Sequence, residues 1–244
     1  RANGIDAQPE ILAIPREGGG TIYTCCVRLP DGSIENVQEK LRGKPVTIGE
    51  RPLAKDVRMN WLTLRVDCEA DVRSALRTLK RSNEVLGLWL YGRTINKAWE
   101  HFSGMFRFVQ AAGGAVTDET GRLLVIRRKG KLDLPKGKVE KDEAIEAGAL
   151  REVMEECGLQ KVEAVRMLTC TWHTYERKGR LELKRTDWYL MKASSKQKTE
   201  PEAAEMIEEV RWMKRDEVRA MRQETFASLR KVLNAWAVAT RGKG

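Results

Sequence analysis

Between residues 137 and 159 the chain reads GKVEKDEAIEAGALREVMEECGL, a stretch that gathers Gly137, Glu143, Arg151, Glu152, Glu155, Glu156 and Gly158. Residues 144 to 157 carry Ala, Glu, Leu, Arg and Met with no Pro and only Gly148 as a weak point, so they are predicted as a helix. On that helix Glu152 lies three residues from Glu155 and four from Glu156, which crowds three carboxylates onto one side. Like charges that close repel one another unless a cation neutralises them. Hard oxygen ligands suit Mg²⁺ or Mn²⁺ rather than Zn²⁺. The chain has two His, His101 and His173, and no C-x-x-C pair, which argues against a zinc site.

The flanking charge says what such ions would serve. Residues 122–138 hold seven Lys or Arg against one acid, Asp133, and residues 160–199 hold ten against four. Residues 139–159 between them hold two basic and seven acidic groups. An anionic metal site between cationic loops matches a metal-bound polyphosphate, in which carboxylates hold the ions while ions and loops hold the phosphates.

The elements that must position these groups follow from the rest of the 244 residues, enough for one large domain or two small ones. Three parts are expected: an arm and β-hairpin over 1–44, a small α/β accessory unit over 45–110, and an α/β domain over 111–241. The formal net charge is +10, spread over both halves with no basic tail, so generic nucleic-acid binding is not the favoured reading. Five Cys, an odd number, give no disulfide framework and point to a reducing compartment. No apolar run reaches the roughly 20 residues of a membrane helix, and no signal peptide opens the chain. A cytoplasmic location and no membrane partner are therefore expected. The first residue is Arg1 rather than Met, so a fragment or a processed chain is expected.

In order, the pattern predicts an apolar stretch at 11–14, a hairpin of strands 21–29 and 33–38 about a turn at Pro30-Asp31-Gly32, then strands 46–49 and 61–66, helix 69–82, strand 86–91 and helix 94–109. The α/β domain opens with strand 111–116 and strand 123–126. Pro135 and Gly137 then fix a loop whose backbone can approach an ion or a phosphate. Ala147, Leu150, Met154 and Cys157 recur at helical spacing and are expected to face the core. Strands 162–175, 181–192 and 210–213 follow, with a closing helix over 224–240.

The spacing from Gly137 through Glu143, Arg151-Glu152, Glu155-Glu156 and Gly158-Leu159 resembles the signature of the Nudix hydrolases, with every position filled. The resemblance covers about residues 111–241. It implies an α/β/α sandwich with a mixed sheet and Mg²⁺-dependent (or Mn²⁺-dependent) hydrolysis of a pyrophosphate bond in a nucleoside-diphosphate-linked or polyphosphorylated substrate. By that resemblance Glu152, Glu155 and Glu156 coordinate the metal, joined by the carbonyl of Gly137. Arg151 orients Glu152 and pairs with Glu143, and Glu152 is the general base. A further acidic ligand is expected from the loop before the last strand, where Glu205 is preferred to Glu202.

The lead-in Leu134-Pro135-Lys136-Gly137 resembles members that cleave dinucleoside polyphosphates or highly phosphorylated inositols. Tyr175 falls near an aromatic that some of them use to stack a base, with a hairpin-end tyrosine as the competing reading. Arg127, Arg128, Lys136 and Lys138 are the expected phosphate contacts. At Asp133 the chain departs from relatives that carry an aromatic. The expected partner is a phosphorylated small molecule, with an RNA end and a second copy of the chain (a homodimer) as alternatives. Two rival functions stay open, an RNA-end or nucleotide pyrophosphohydrolase and a non-catalytic ligand-sensing module.

Overall fold

The computed structural model describes residues 9–15, 21–28, 34–36, 39–41, 44–49, 51–52, 60–221, 225–226 and 228–241. The expected turn at Pro30-Asp31-Gly32 and the glycine run 18–20 lie outside the described residues. The chain divides into two compact units, residues 1–109 with 172–184, and residues 110–171 with 185–244.

In the first unit β1 (Pro9–Pro15), β2 (Thr21–Arg28) and β3 (Ile34–Asn36) form an antiparallel three-stranded sheet. A second sheet has the order β4 (Glu39–Leu41), β5 (Lys44–Gly49), β7 (Gly87–Tyr91), β6 (Trp61–Arg65), with β5 and β6 both parallel to β7. Parallel neighbours need a crossover. Helix α1 (Glu69–Arg81) supplies it between β6 and β7 and buries Val72, Ala75, Leu76 and Leu79. Helix α2 (Ile95–Gly104) buries Ile95, Ala98, Trp99 and Phe102. It stops short of the predicted 94–109, because Gly104 weakens it and the run Phe106-Arg-Phe-Val109 favours extended backbone. That run enters strand β8 (Arg107–Thr117). Phe102 and Phe106 remain neighbours, ring centres 4.9 Å apart, and Trp172 packs edge-on against Trp99 at 5.4 Å.

The second unit is built on a seven-stranded sheet. Its main path runs β10 (Lys131–Asp133), β9 (Leu123–Arg128), β8, β13 (Arg180–Lys192), β12 (Glu163–Arg177), with β11 (Lys136–Lys138) paired to β8 and β14 (Ile207–Met213) to β9. Strand alternation gives the sheet two apolar faces. One face, with Ala112, Val116, Leu124, Ile126 and Met191, packs on Ala149, Val153 and Cys157 of α3 (Ile145–Cys157). The other, with Ala115, Leu123, Val125, Trp188 and Leu190, packs on α4 (Arg215–Met221) and α5 (Leu229–Ala239) through Val218, Met221, Val232, Leu233 and Trp236. This is an α/β/α sandwich. Helix α4 escapes the sequence pattern because it is one short segment with only Val218 and Met221 buried. Among the described residues no helix is long and apolar enough to cross a membrane.

Candidate active site

Helix α3 does not present the expected face. Ala147 is exposed, Leu150 and Met154 are only partly buried, and the buried positions are Gly148, Ala149, Val153, Glu156 and Cys157. The small Ala149 packs on the sheet with Val153 and Cys157, and the rotation carries Glu156 to zero exposure. A carboxylate there needs donors or a cation. Oε2 accepts from the Lys136 N–H at 2.9 Å. Oε1 is buried with no hydrogen-bond donor among the described residues, and Arg128 Nη1 is 3.9 Å away. Burial pushes the Glu156 carboxyl up to about 7 against the opposing pull of Lys136.

Gly137 stands against Glu152. A Cβ at Gly137 would lie 1.7 Å from Glu152 Oε2, so only glycine admits this carboxylate beside the loop backbone. Strand β11 holds Gly137 opposite Ala112 of β8, which fixes the loop. Glu152 is half-buried, and burial raises its carboxyl above the usual range although Arg151 pulls the other way.

Arg151 ties the stretch together. Its Nε donates to Glu143 Oε1 at 2.8 Å and Nη2 to Glu143 Oε2 at 2.9 Å, a two-point grip. Nη2 also donates to the Lys138 carbonyl at 2.9 Å, and Nη1 to Glu152 at 3.0 Å and Glu155 at 2.9 Å. The two bonds from Arg151, with the Glu140 N–H donating to Oε2 at 2.8 Å, hold the Glu143 carboxyl down to about 2. Gly148 makes room for it, since a Cβ there would stand 2.8 Å from Glu143 Oε2.

The far end of α3 brings in the last acid. Gly158 caps the helix in the left-handed conformation, φ 67°, where a side chain would also stand 2.8 Å from Glu200 Cβ. The closely packed loop donates from Glu200 N to the Cys157 carbonyl at 2.9 Å and from Glu202 N to the Glu156 carbonyl at 3.3 Å. The 3₁₀ turn Ala203–Glu205 follows, and Glu205 accepts from Arg128 Nη2 at 2.7 Å. Its charge reaches Glu152 and raises that carboxyl further.

Of the residues singled out in the sequence, Gly137, Glu143, Arg151, Glu152, Glu155, Glu156, Glu205, Arg128 and Lys136 are thus linked in one network. Arg127 is turned to Glu209 at 3.3 Å and to the Gly130 carbonyl. Lys138 keeps its side chain exposed. Tyr175 belongs to the first unit, unlike the carboxylates. Burial and a hydrogen bond to Glu182 push its hydroxyl up to about 12. Sequence reasoning marked Asp133 only as a departure from relatives and missed its pairing with Lys136, whose Nζ lies 3.0 Å from Oδ2. Its i, i+3 spacing across Leu134-Pro135 was the available signal.

Among the described residues no three acids, thiols or imidazoles already converge as a ligand cluster. Glu152 and Glu155 are instead drawn to Arg151, and Glu205 to Arg128. The donor set still fits a hard divalent cation: the oxygens are carboxylates, Glu156 has a buried oxygen lacking a donor among the described residues, and the missing side chain at Gly137 lets the Glu152 carboxylate lie against the loop backbone.

Comparison with known proteins matches residues 107–236 to the NUDIX domain profile. A MutT-like protein of Streptomyces ambofaciens is 48% identical over 52 residues, 20% of this chain and 34% of that protein. The matched segment therefore spans about a third of the curated relative. Similar solved structures include a MutT protein from Methanosarcina mazei Go1, at 21% identity and TM-score 0.45 over 56% of this chain and 97% of that one. An Ap4A hydrolase of C. elegans in a binary complex has 19% identity and TM-score 0.45 over 55% and 98%. The NUDIX domain of Shewanella oneidensis NrtR, complexed with ADP ribose, has 17% identity and TM-score 0.44 over 56% and 90%. With more than half of its length matched to that domain, the chain belongs to the NUDIX family.

Proposed function

We propose that the second unit hydrolyses a pyrophosphate bond in a nucleoside-diphosphate-linked or polyphosphorylated substrate, with Mg²⁺ or Mn²⁺ as cofactor. The observation that carries this reading is Glu156, a fully buried carboxylate with one oxygen lacking a donor among the described residues, on the helix whose Glu152 carboxylate packs against Gly137. Stability alone disfavours such a group, so a cation is the natural partner. Glu152, Glu155, Glu156, Glu205 and the Gly137 carbonyl would hold it. When bound, the cation activates water and offsets the charge that develops on phosphorus.

The chain's own residues supply the rest. Arg151 orients Glu152 from one side while Gly137 bounds it on the other, and Glu143 fixes Arg151. Glu152, raised by burial, serves as the proton acceptor. Lys138, exposed near the start of the 137–159 stretch, and the cationic residues flanking that stretch favour a substrate with several phosphates.

A panel running from nucleoside diphosphates to dinucleoside tetraphosphates, multiply phosphorylated rings and triphosphate-ended RNA tests this. Released phosphate and pyrophosphate are read with Mg²⁺, with Mn²⁺ and with chelator. The expected result is metal-dependent release, with kcat/KM rising with phosphate number and falling with salt as screening cuts attraction beyond about 8 Å. No release from any compound would leave a ligand-sensing module, and release from RNA alone would select an RNA-end enzyme.

A further inference from the structure

Lys136 engages two carboxylates with different atoms. Its backbone N–H donates to Glu156 Oε2 at 2.9 Å, the only hydrogen bond that carboxylate receives among the described residues. Its ammonium is ion-paired 3.0 Å from Asp133 Oδ2, off the geometry of a hydrogen bond, with the two side chains only 13% and 7% exposed. Asp133 is held in turn, since Oδ1 accepts from the Leu134 N–H at 2.8 Å. From the other side the Lys136 backbone is seated against Gly113 of β8, where a Cβ would stand 2.3 Å from Lys136 Cβ and from the Pro135 carbonyl. A lysine that reaches for phosphate keeps its ammonium in water and lays its stem on the surface. Lys136 turns the ammonium inward, onto an acid three residues earlier.

We propose that Asp133 and Lys136 form a buried clip that closes the turn before α3 and fixes the Lys136 N–H, and through it the Glu156 carboxylate, where a divalent cation requires it. Lys136 is then a positioning residue and not a phosphate contact. The inference rests on the metal-dependent reading above. Pro135 restricts the same turn from within, so the clip locks a segment that has few other conformations open to it. Because the two side chains act as one device, losing either should cost about as much as losing both.

The test compares wild type with Asp133→Ala, Lys136→Met and the double variant. Mn²⁺ dissociation constants are measured by electron paramagnetic resonance of free Mn²⁺, and kcat and KM at saturating metal. Each of the three variants is expected to bind Mn²⁺ about 10–100-fold more weakly, the range for residues that orient a metal ligand, with the losses non-additive and the substrate KM unchanged. Asp133→Asn, which retains an acceptor for Leu134 and removes only the charge, stands in if a variant fails to fold, and is expected to weaken Mn²⁺ binding likewise. Unchanged Mn²⁺ affinity in the variants, with a KM raised by Lys136→Met alone, would overturn the clip and return Lys136 to phosphate binding. Failure of the wild type to bind Mn²⁺ would instead overturn the metal-dependent reading, and the clip with it.

Discussion

The carboxylate of Glu152 lies so close to the α-carbon of Gly137 that a methyl group there would stand 1.7 Å from Oε2 and 2.0 Å from Cδ. A loop glycine and a helix glutamate fifteen positions apart thus share one space, and the glycine is required by the acid rather than by its own backbone angles.

Gly137→Ala should accordingly separate activity from stability. The clash is with the far end of a flexible side chain, so Glu152 can swing away without moving the sheet. Overpacking of this kind reaches about 1–3 kcal/mol when backbone must shift, and a yielding side chain keeps the loss at the low end. The expected result is a Tm within about 4 °C of wild type and a kcat lowered about 10–100-fold. Thermal unfolding and steady-state rates on one substrate check this.

Arg151 is expected to behave as a planar clamp rather than a charge. Lysine cannot reproduce the paired bonds to Glu143 together with those to Glu152, Glu155 and the Lys138 carbonyl. Arg151→Lys should lower kcat about tenfold or more with substrate KM little changed. Glu143→Gln should add little on top of it, because the two residues act through one contact. A fully additive double variant would show that they act separately.

Much of this site was legible in the sequence because spacing on a helix is fixed: once residues 145–157 form α3, Glu152, Glu155 and Glu156 must fall within little more than one turn of it. What spacing could not supply was the helix's rotation, which puts Ala149, Val153 and Cys157 on the sheet and buries Glu156 more fully than Leu150 and Met154. The direction of a lysine side chain was equally hidden: Lys136 was expected at phosphate, and the spacing gave no sign that its ammonium lies 3.0 Å from Asp133. Phe106 and Val109 fit a helical period as well as an extended one, and strand β8 took Val109 while Phe106 sits in the bend just ahead of it. Tyr175 was placed by distance along the chain, and its packing with Glu182 in the other unit depends on where the hairpin tip of β12 and β13 settles.

Acid sensitivity should trace in part to Glu119. Its Oε1 accepts from Ser195 Oγ at 2.6 Å and its Oε2 from Ser195 N at 3.0 Å, and these bonds hold its carboxyl down to about 2. A carboxyl depressed in the folded state adds stability that is present above its unfolded value of 4.5 and is lost as pH falls from there toward 2. Glu119→Gln should therefore be less stable than wild type at neutral pH, with the gap closing across that window. Tm measured against pH for both proteins checks it, and a gap that stays constant down to pH 2 would count against the Ser195 contact.

The most direct test of the catalytic account is the Glu156→Gln rate at saturating Mg²⁺, measured on a substrate that the wild type cleaves. The substitution keeps the shape of a fully buried side chain and removes its charge. The account predicts a folded protein whose kcat falls by more than about a hundredfold, beyond the loss typical of residues that only orient a ligand, together with weakened Mn²⁺ binding. A folded Glu156→Gln protein with the wild-type rate and wild-type metal affinity would contradict it.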